Sequence, residues 1–253
     1  MRGVNSPFFL TGYTGRSGMD TIERIRRIYE RHEPAPIGKY RFFSVLIPFV
    51  EKDGELCLLY EVRARDMESD PGEICFPGGH VEPGEDLLAA ALRETEEEIG
   101  IPADRIEILG QGDVLYGYAN YSLYTFIGVI QYRDFLKATI QVEEVDEIFL
   151  MPVSHLDFSR AQHFRERVYA EVTDDFPYDE VGIDEDYNWR TGQWIVPVLT
   201  VDGRVIWGLT ARISEGVVKL LREHHIGELE IQLEVPETTE EKYTGESDVS
   251  ADK

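Results

Sequence analysis

Apolar residues recur with two different spacings along the chain, and these spacings predict its strands and helices. Three- and four-residue spacing predicts a helix between Asp20 and Pro34, one over 86–99 that stops at Gly100, and a closing helix over about 210–224. Runs rich in Val, Ile, Phe and Tyr predict strands over 41–50, 55–63, 105–116, 121–131, 145–151, 194–200 and 205–209. Hairpins mixed with separated helices predict a layered α/β (α+β) domain rather than a parallel βαβ array.

The two ends of the chain differ in composition from the body. Residues 1–18 are rich in Gly, Ser and Thr and have no apolar period, which predicts a flexible extension upstream of Met19. Residues 236–253 are acidic with almost no aliphatic side chains, which predicts a disordered tail. We therefore expect one domain over residues 19–235.

Charge and cysteine content exclude several classes of function. The chain has 25 Lys and Arg against 49 Asp and Glu, a net charge of −24, which argues against binding nucleic acid. No apolar run approaches the roughly 18 residues that span a bilayer, so no membrane partner is expected. Cys57 and Cys75 both lie in apolar stretches, which predicts two buried thiols and a reduced, cytoplasmic compartment.

The acidic segment 171–186 contains aromatic residues. This composition predicts a packed surface loop, and a lid over a cavity is the alternative.

The helix over 86–99 carries an unusual arrangement of acids. At about 100° per residue, one arc forms the stripe expected to be buried, with Leu88, Ala91, Leu92, Thr95 and Ile99. Glu94, Glu97 and Glu98 share a neighbouring arc, where like charges three and four residues apart repel. A hard divalent cation such as Mg²⁺ would convert that repulsion into coordination.

The residues before this helix extend the pattern. Phe76-Pro77-Gly78-Gly79 is a turn whose glycines allow the backbone to approach a ligand closely. Glu82, Glu85 and Arg93 complete a charge network, in which Arg93 can pair with Glu97 four residues later. Such a pair would orient a ligand of the same site.

Residues 79–101 resemble the Nudix box, Gly-x5-Glu-x7-Arg-Glu-U-x-Glu-Glu-x-Gly-U, where U is aliphatic. Its fixed positions are occupied here by Gly79, Glu85, Arg93, Glu94, Glu97, Glu98, Gly100 and Ile101. Thr95 departs from the pattern by standing at an aliphatic position, where its hydroxyl can bond back to a helix carbonyl. This departure removes no ligand.

The resemblance implies an α/β/α sandwich around a mixed sheet that hydrolyses a nucleoside diphosphate linked to another group. It implies Mg²⁺ or Mn²⁺ as cofactor, with Glu94, Glu97, Glu98 and the carbonyl of Gly79 as metal ligands. Glu94 or Glu98 would activate water, and Arg93 and Glu85 complete the catalytic residues. Some branches instead recruit a glutamate from a distant loop, for which the candidates here are Glu143, Glu144 and Glu147.

The segment upstream of the box resembles the motif of coenzyme A pyrophosphatases within the Nudix superfamily. Arg63, Ala64, Gly72 and Phe76–Gly79 match it, so the resemblance implies substrate contacts by Arg63, Phe76, Gly78 and Gly79. Tyr60-Glu61 replaces Leu-Thr, a change expected to affect packing. Glu68 stands at a position where the motif has a basic residue. Arg65 could instead supply the missing positive charge for the 3′-phosphate of coenzyme A.

Residues near the C-terminus resemble the distal part of the same branch. These residues are Phe176-Pro177-Tyr178, Tyr187-Asn188-Trp189 and Ile206–Arg212. We expect Trp207 to lie in the core and Thr210 to cap the last helix.

Three functions are therefore compared. The first is metal-dependent hydrolysis of coenzyme A or acyl-coenzyme A into 3′,5′-ADP and (acyl-)4′-phosphopantetheine. The alternatives are a pyrophosphatase for ADP-ribose, NADH or another nucleoside diphosphate, and a non-catalytic Nudix module that senses a nucleotide. The expected partner is a small-molecule nucleotide substrate, and a homodimer is left open.

The box predicts the effect of one substitution. Glu97→Gln should lower turnover by orders of magnitude and leave the fold intact or more stable, because it relieves carboxylate repulsion while removing a metal ligand. Turnover and thermal unfolding of the purified variant check this. Activity within threefold of the parent protein would contradict the metal role of Glu97.

Overall fold

A computed structural model of the protein describes residues 20–226. The chain divides into two compact units, Met1–Tyr40 and Arg41–Lys253. The extension predicted for 1–18 and the tail predicted for 236–253 lie outside the described residues, and the single domain over 19–235 stays a prediction.

Helix α1 (Thr21–Glu30) is the regular element described in the first unit. The Asp20 side chain accepts a hydrogen bond from the Ile22 backbone N–H, which confirms Asp20 as the N-cap. The helix ends at Arg31, before Pro34 is reached.

The second unit contains the predicted strands and helices, with bounds that differ from the predicted ones by a residue or two. In chain order they are β1 (Arg41–Lys52), β2 (Glu55–Arg63), β3 (Ile74–Cys75), β4 (Gly78–His80), α2 (Leu87–Ile99), β5 (Ile106–Gly117), β6 (Tyr121–Ile130), α3 (Tyr132–Phe135), β7 (Val145–Pro152), β8 (Gln162–Val168), α4 (Tyr178–Val181), β9 (Gly192–Val201), β10 (Arg204–Trp207) and α5 (Gly208–Glu223). The sequence did not predict β3, β4, β8, α3 or α4. Strands β3 and β4 have two and three residues, helices α3 and α4 have four residues each, and β8 is polar and almost fully exposed.

The strands form two sheets. The larger has the order β3-β2-β1-β6-β5, with β4 also paired to β1 and β7 to β2. Strands β1 and β6 run parallel while the other pairs are antiparallel, so this sheet is mixed. The smaller sheet has the order β10-β9-β8.

Helices cover both faces of the larger sheet. Leu46 and Val50 of β1 pack with Ala91 and Ile99 of α2 on one face. On the other face, the alternate residues of β1, including Ile47, pack with residues of α5. This alternation buries both sides of β1 and confirms the predicted α/β/α sandwich around a mixed sheet.

The sequence of α2 explains its ends and its buried stripe. Asp86 accepts hydrogen bonds from the N–H groups of Leu88 and Ala89, and Gly100 ends the helix with a left-handed φ of 68°. Thr95 is fully buried and donates its hydroxyl to the Ala91 carbonyl at 2.6 Å. The hydroxyl is thus satisfied within the helix, as the sequence predicted.

Two expectations for the C-terminal segment are wrong. Trp207 is 44% exposed rather than part of the core. Helix α5 begins at Gly208 with Trp207 at its N-cap position, so Thr210 lies inside the first turn and does not cap the helix.

The cysteines are free thiols. Cys57 is buried as predicted, whereas Cys75 is only partly buried. Over residues 20–226, no helix combines the length and apolar character that crossing a membrane requires.

The buried hydroxyl in α2 leads to a stability prediction. Thr95→Val should stabilise the protein by about 1 kcal/mol, because it removes a buried hydroxyl and restores an aliphatic group. The Ala91 carbonyl stays satisfied, since an α-helix supplies the backbone N–H four residues on. Urea unfolding of both proteins measures the difference. A loss of stability would show that the hydroxyl bond contributes more than its burial costs.

Candidate active site

A cavity of about 700 Å³ is lined by α2, by strands of both sheets and by the start of α5. Six acidic residues line it: Glu94 and Glu98 of α2, Glu144 of the segment before β7, and Asp70, Glu73 and Glu166. Gly78, Gly79 and His80 of β4 line it as well. Aromatic walls come from Phe43, Phe76, Tyr118, Tyr121, Trp194 and Trp207.

The two glycines of the turn are required by close packing. Gly78 has a φ of 146°, and a Cβ there would collide with the backbone of Ser44 and Val45. A Cβ on Gly79 would lie 2.5 Å from the carboxyl carbon of Glu94. The turn therefore brings its backbone directly against a carboxylate of α2.

Arg93 connects the turn to the helix. Its guanidinium donates to both carboxylate oxygens of Glu85, at 2.9 and 3.1 Å, and to the His80 carbonyl at 3.2 Å. It also donates to Glu94 at 2.9 Å and to Glu97 at 3.0 Å. The predicted pairing of Arg93 with Glu97 is confirmed. The bonds with Glu85 and Glu94 raise the pKa of Arg93, and the bond with Arg93 lowers the pKa of Glu85.

Glu98 is the most buried carboxylate of the Nudix box. It is 4% exposed and accepts a hydrogen bond from the Gly78 N–H at 2.8 Å. Burial raises the pKa of Glu98, and the negative charge of Glu61 raises it further. Burial also raises the pKa of Glu94, against the opposing effect of its bond with Arg93. The site therefore concentrates carboxylates where their charges are poorly solvated.

Glu61 joins this group, although the sequence assigned it only a packing role. It is 1% exposed, and one of its oxygens accepts a hydrogen bond from the Cys75 thiol at 3.2 Å. Burial raises the pKa of Glu61, and the charges of Glu144 and Glu94 also raise it. Its replacement of Thr in the upstream motif was the signal that could have found it.

The sequence offered three glutamates outside the Nudix box as candidate bases, and the structure distinguishes between them. Glu144 lines the cavity. Glu147 instead pairs with Arg204, with the shorter contact at 2.6 Å, and Glu143 is exposed outside the lining. Glu97, expected to bind metal, is 55% exposed at its side chain and also lies outside the lining.

Of the residues expected to contact substrate, some line the cavity and others lie outside its lining. Arg63 lines the cavity, and its guanidinium donates to Ser69. Phe76 is buried and stacks on Tyr60, with ring centroids 4.7 Å apart. Arg65 is 86% exposed at its side chain, 3.6 Å from Asp146, and outside the lining. Glu68 and the acidic segment 171–186 are outside it too.

The residue types fit a hard divalent cation. Four carboxylates repel one another around one wall, and one oxygen of Glu61 is buried without a hydrogen-bond partner. In the described part of the chain, no three acidic, histidine or cysteine side chains already converge with the geometry of a metal site. A cation would have to draw these carboxylates together.

Residues 41–172 match the NUDIX domain family. The chain belongs to this family, and the match includes the turn, α2 and Glu144.

Several known proteins are similar to this chain. Nudix hydrolase 3 of Caenorhabditis elegans is 38% identical over 115 residues, and the peroxisomal coenzyme A diphosphatase NUDT7 of Mus musculus is 36% identical over 115 residues. Each match covers 45% of this chain, which spans about half, 48%, of either relative. The mitochondrial coenzyme A diphosphatase NUDT8 of Mus musculus is 29% identical over 204 residues, covering 79% of this chain and 87% of that one. A solved Ap4A hydrolase of C. elegans has a TM-score of 0.38 at 23% identity, covering 44% of this chain and 80% of its own.

The contact between Gly79 and Glu94 predicts a selective loss of activity. Gly79→Ala should lower turnover about a hundredfold, because its Cβ displaces a carboxylate from the site. The melting temperature should change little, since the displaced group is the end of a flexible side chain. Steady-state kinetics and thermal unfolding measure the two effects.

Gly110→Ala provides the matched control, because nothing lies within 4 Å of a Cβ added at Gly110. Equal activity of the two alanine variants would show that the position of the Glu94 carboxylate does not matter.

Proposed function

We propose that this protein is a divalent-metal-dependent pyrophosphohydrolase that acts on coenzyme A or acyl-coenzyme A. It would cut the diphosphate bond to give 3′,5′-ADP and (acyl-)4′-phosphopantetheine. The observation that carries this proposal is that Glu94 and Glu98 face the same cavity as the Phe76–Gly79 turn. That turn completes the motif resembling coenzyme A pyrophosphatases, and two relatives bear the name coenzyme A diphosphatase.

The residues of the site have distinct roles in this reaction. Glu94, Glu98 and the Gly79 carbonyl would hold Mg²⁺ or Mn²⁺, with Glu97 as the further ligand that the box implies. When bound, the ion neutralises charge on the diphosphate and activates water for in-line attack. Glu94 or Glu98 would take the proton of the attacking water, and Glu144 is the alternative base from outside the box.

Other residues keep this arrangement in place. Arg93 holds Glu85, Glu94 and Glu97 through four hydrogen bonds that its rigid guanidinium donates, so it orients these residues rather than reacts. The Gly78 N–H orients Glu98. Arg63 is the arginine of the cavity lining and would contact a substrate phosphate.

Net charge makes the cation more important here. A protein with a charge of −24 repels an anionic substrate within a screening length of about 8 Å at physiological salt. A divalent ion together with Arg63 would reverse the potential locally. The proposal therefore includes a small nucleotide substrate, no nucleic acid or membrane partner, a homodimer as an open alternative, and the cytoplasm as compartment.

Hydrolysis of ADP-ribose, NADH or another nucleoside diphosphate is the second candidate. Glu68 favours it, because an exposed acid occupies the slot where a cation for the 3′-phosphate of coenzyme A is expected. The exposed Arg65 lies outside the cavity as well. A substrate without that phosphate would need neither residue.

A product assay with coenzyme A, ADP-ribose and NADH, each with Mg²⁺, Mn²⁺ or EDTA, distinguishes these functions. We expect metal-dependent release of 3′,5′-ADP from coenzyme A with a higher kcat/KM than for the other two substrates. Faster turnover of ADP-ribose or NADH would replace the first candidate with the second. No turnover with any of the three would leave a nucleotide-sensing module as the better description.

A further inference from the structure

Glu61 lies on the face of the sheet that α2 covers. Side chains alternate along β2, so Leu59 and Glu61 share one face while Tyr60 points to the other. Leu59 packs in the core cluster that includes α2, whereas Tyr60 packs in the cluster that includes α5. Glu61 therefore approaches the carboxylates of α2 from the sheet.

The surroundings of Glu61 leave half of its carboxylate without a partner. Its side chain is 1% exposed, and the Cys75 thiol donates to only one of its two oxygens. The second oxygen, Oε2, is buried and has no hydrogen-bond partner. A buried acceptor without a partner is costly, and more so when it carries a charge.

The charged groups near Glu61 are mostly acids of the active site. The charge of Glu61 acts on Glu98, while Glu144 and Glu94 act on Glu61. Arg63, two residues along the same strand, is the cation among the groups that act on it. The guanidinium of Arg63 is directed to Ser69 rather than to Glu61. The Glu61 carboxylate is thus close enough to several active-site carboxylates for their charges to act on one another, and its Oε2 atom has no hydrogen-bond partner.

We propose that Glu61 is an additional carboxylate ligand of the divalent cation, supplied by β2 from outside the Nudix box. Its Oε2 atom would bind the cation together with Glu98 and Glu94 of α2. This inference rests on the metal dependence in the proposed function, and it adds a ligand that the motif does not contain. A cation at this position satisfies the buried oxygen and neutralises the surrounding acids at once.

Binding of Mn²⁺ itself, without substrate, tests this role. Isothermal titration calorimetry of the full-length protein should show at least tenfold weaker Mn²⁺ binding for Glu61→Gln than for the parent. The amide keeps the size of the side chain and an acceptor for the Cys75 thiol. Without metal, Glu61→Gln should melt at the same or a higher temperature than the parent, and Mn²⁺ should raise that temperature less.

Glu55→Gln is the matched control, since Glu55 lies on the same strand and its exposed carboxylate bonds to Ser154. We expect Mn²⁺ binding to this variant to stay within twofold of the parent. Should Glu61→Gln fail to fold, Glu61→Thr carries the residue of the related motif into the same measurements, with the same expectation.

The outcomes separate this inference from the proposed function. Binding of Mn²⁺ to Glu61→Gln within twofold of the parent would overturn the inference and assign Glu61 a structural bond with Cys75 alone. The substrate assay would then be unaffected. Absence of Mn²⁺ binding to the parent protein would overturn both the inference and the metal dependence of the proposed reaction.

Discussion

Repulsion between buried carboxylates is the constraint on which the rest of the site depends. Glu94 and Glu98 lie one turn apart on α2, and Glu61 and Glu144 approach them from the sheet side. Burial deprives these groups of water, so each negative charge makes the next one harder to form. An arrangement of this kind is unfavourable for an empty protein and favourable for one that binds a divalent cation. Relief of this repulsion would therefore contribute to the affinity of the site for a divalent cation.

The hydrogen bonds around the site limit how far the carboxylates can relax. Arg93 holds Glu94 from one side, and the Gly78 N–H holds Glu98 from the other. Arg93 belongs to α2 and also donates to the His80 carbonyl of β4, and Gly78 belongs to β4, which is itself paired to β1 in the central sheet. Relief of the repulsion by moving α2 away from β4 would break the bonds of Gly78 with Glu98 and of Arg93 with the His80 carbonyl, and would expose Ala91 and Ile99, which pack on the sheet. Binding of a cation would relieve the repulsion and leave the core intact.

The sequence predicted the parts of this molecule that depend on local pattern. The predicted end of α2 at Gly100 is present, and Asp86, where the predicted helix begins, is its N-cap. Residues brought together by the tertiary fold were harder to find: Glu61, Glu144 and Trp207 are separated from the box by strands whose pairing no local pattern specifies. Trp207 is apolar in type, which suggested the core, yet it ends an edge strand and borders the cavity. Exposure at such a position depends on which elements pack nearby, and not on the residue type.

The paired change at Tyr60 and Glu61 shows how one strand can alter two layers separately. The Tyr60 ring lies between Phe76 and Phe149, and its hydroxyl lies 2.8 Å from the Ser214 hydroxyl of α5. Ser214 in turn donates to the carbonyl of Thr210, in the first turn of α5 that borders the cavity. Glu61, the next residue, faces the carboxylates of α2 instead. Because adjacent strand residues point to opposite faces, Tyr60 stabilises the wall formed by α5 while Glu61 changes the charge of the wall formed by α2. The departure from the related motif is therefore two independent changes, of which only the first is explained by packing.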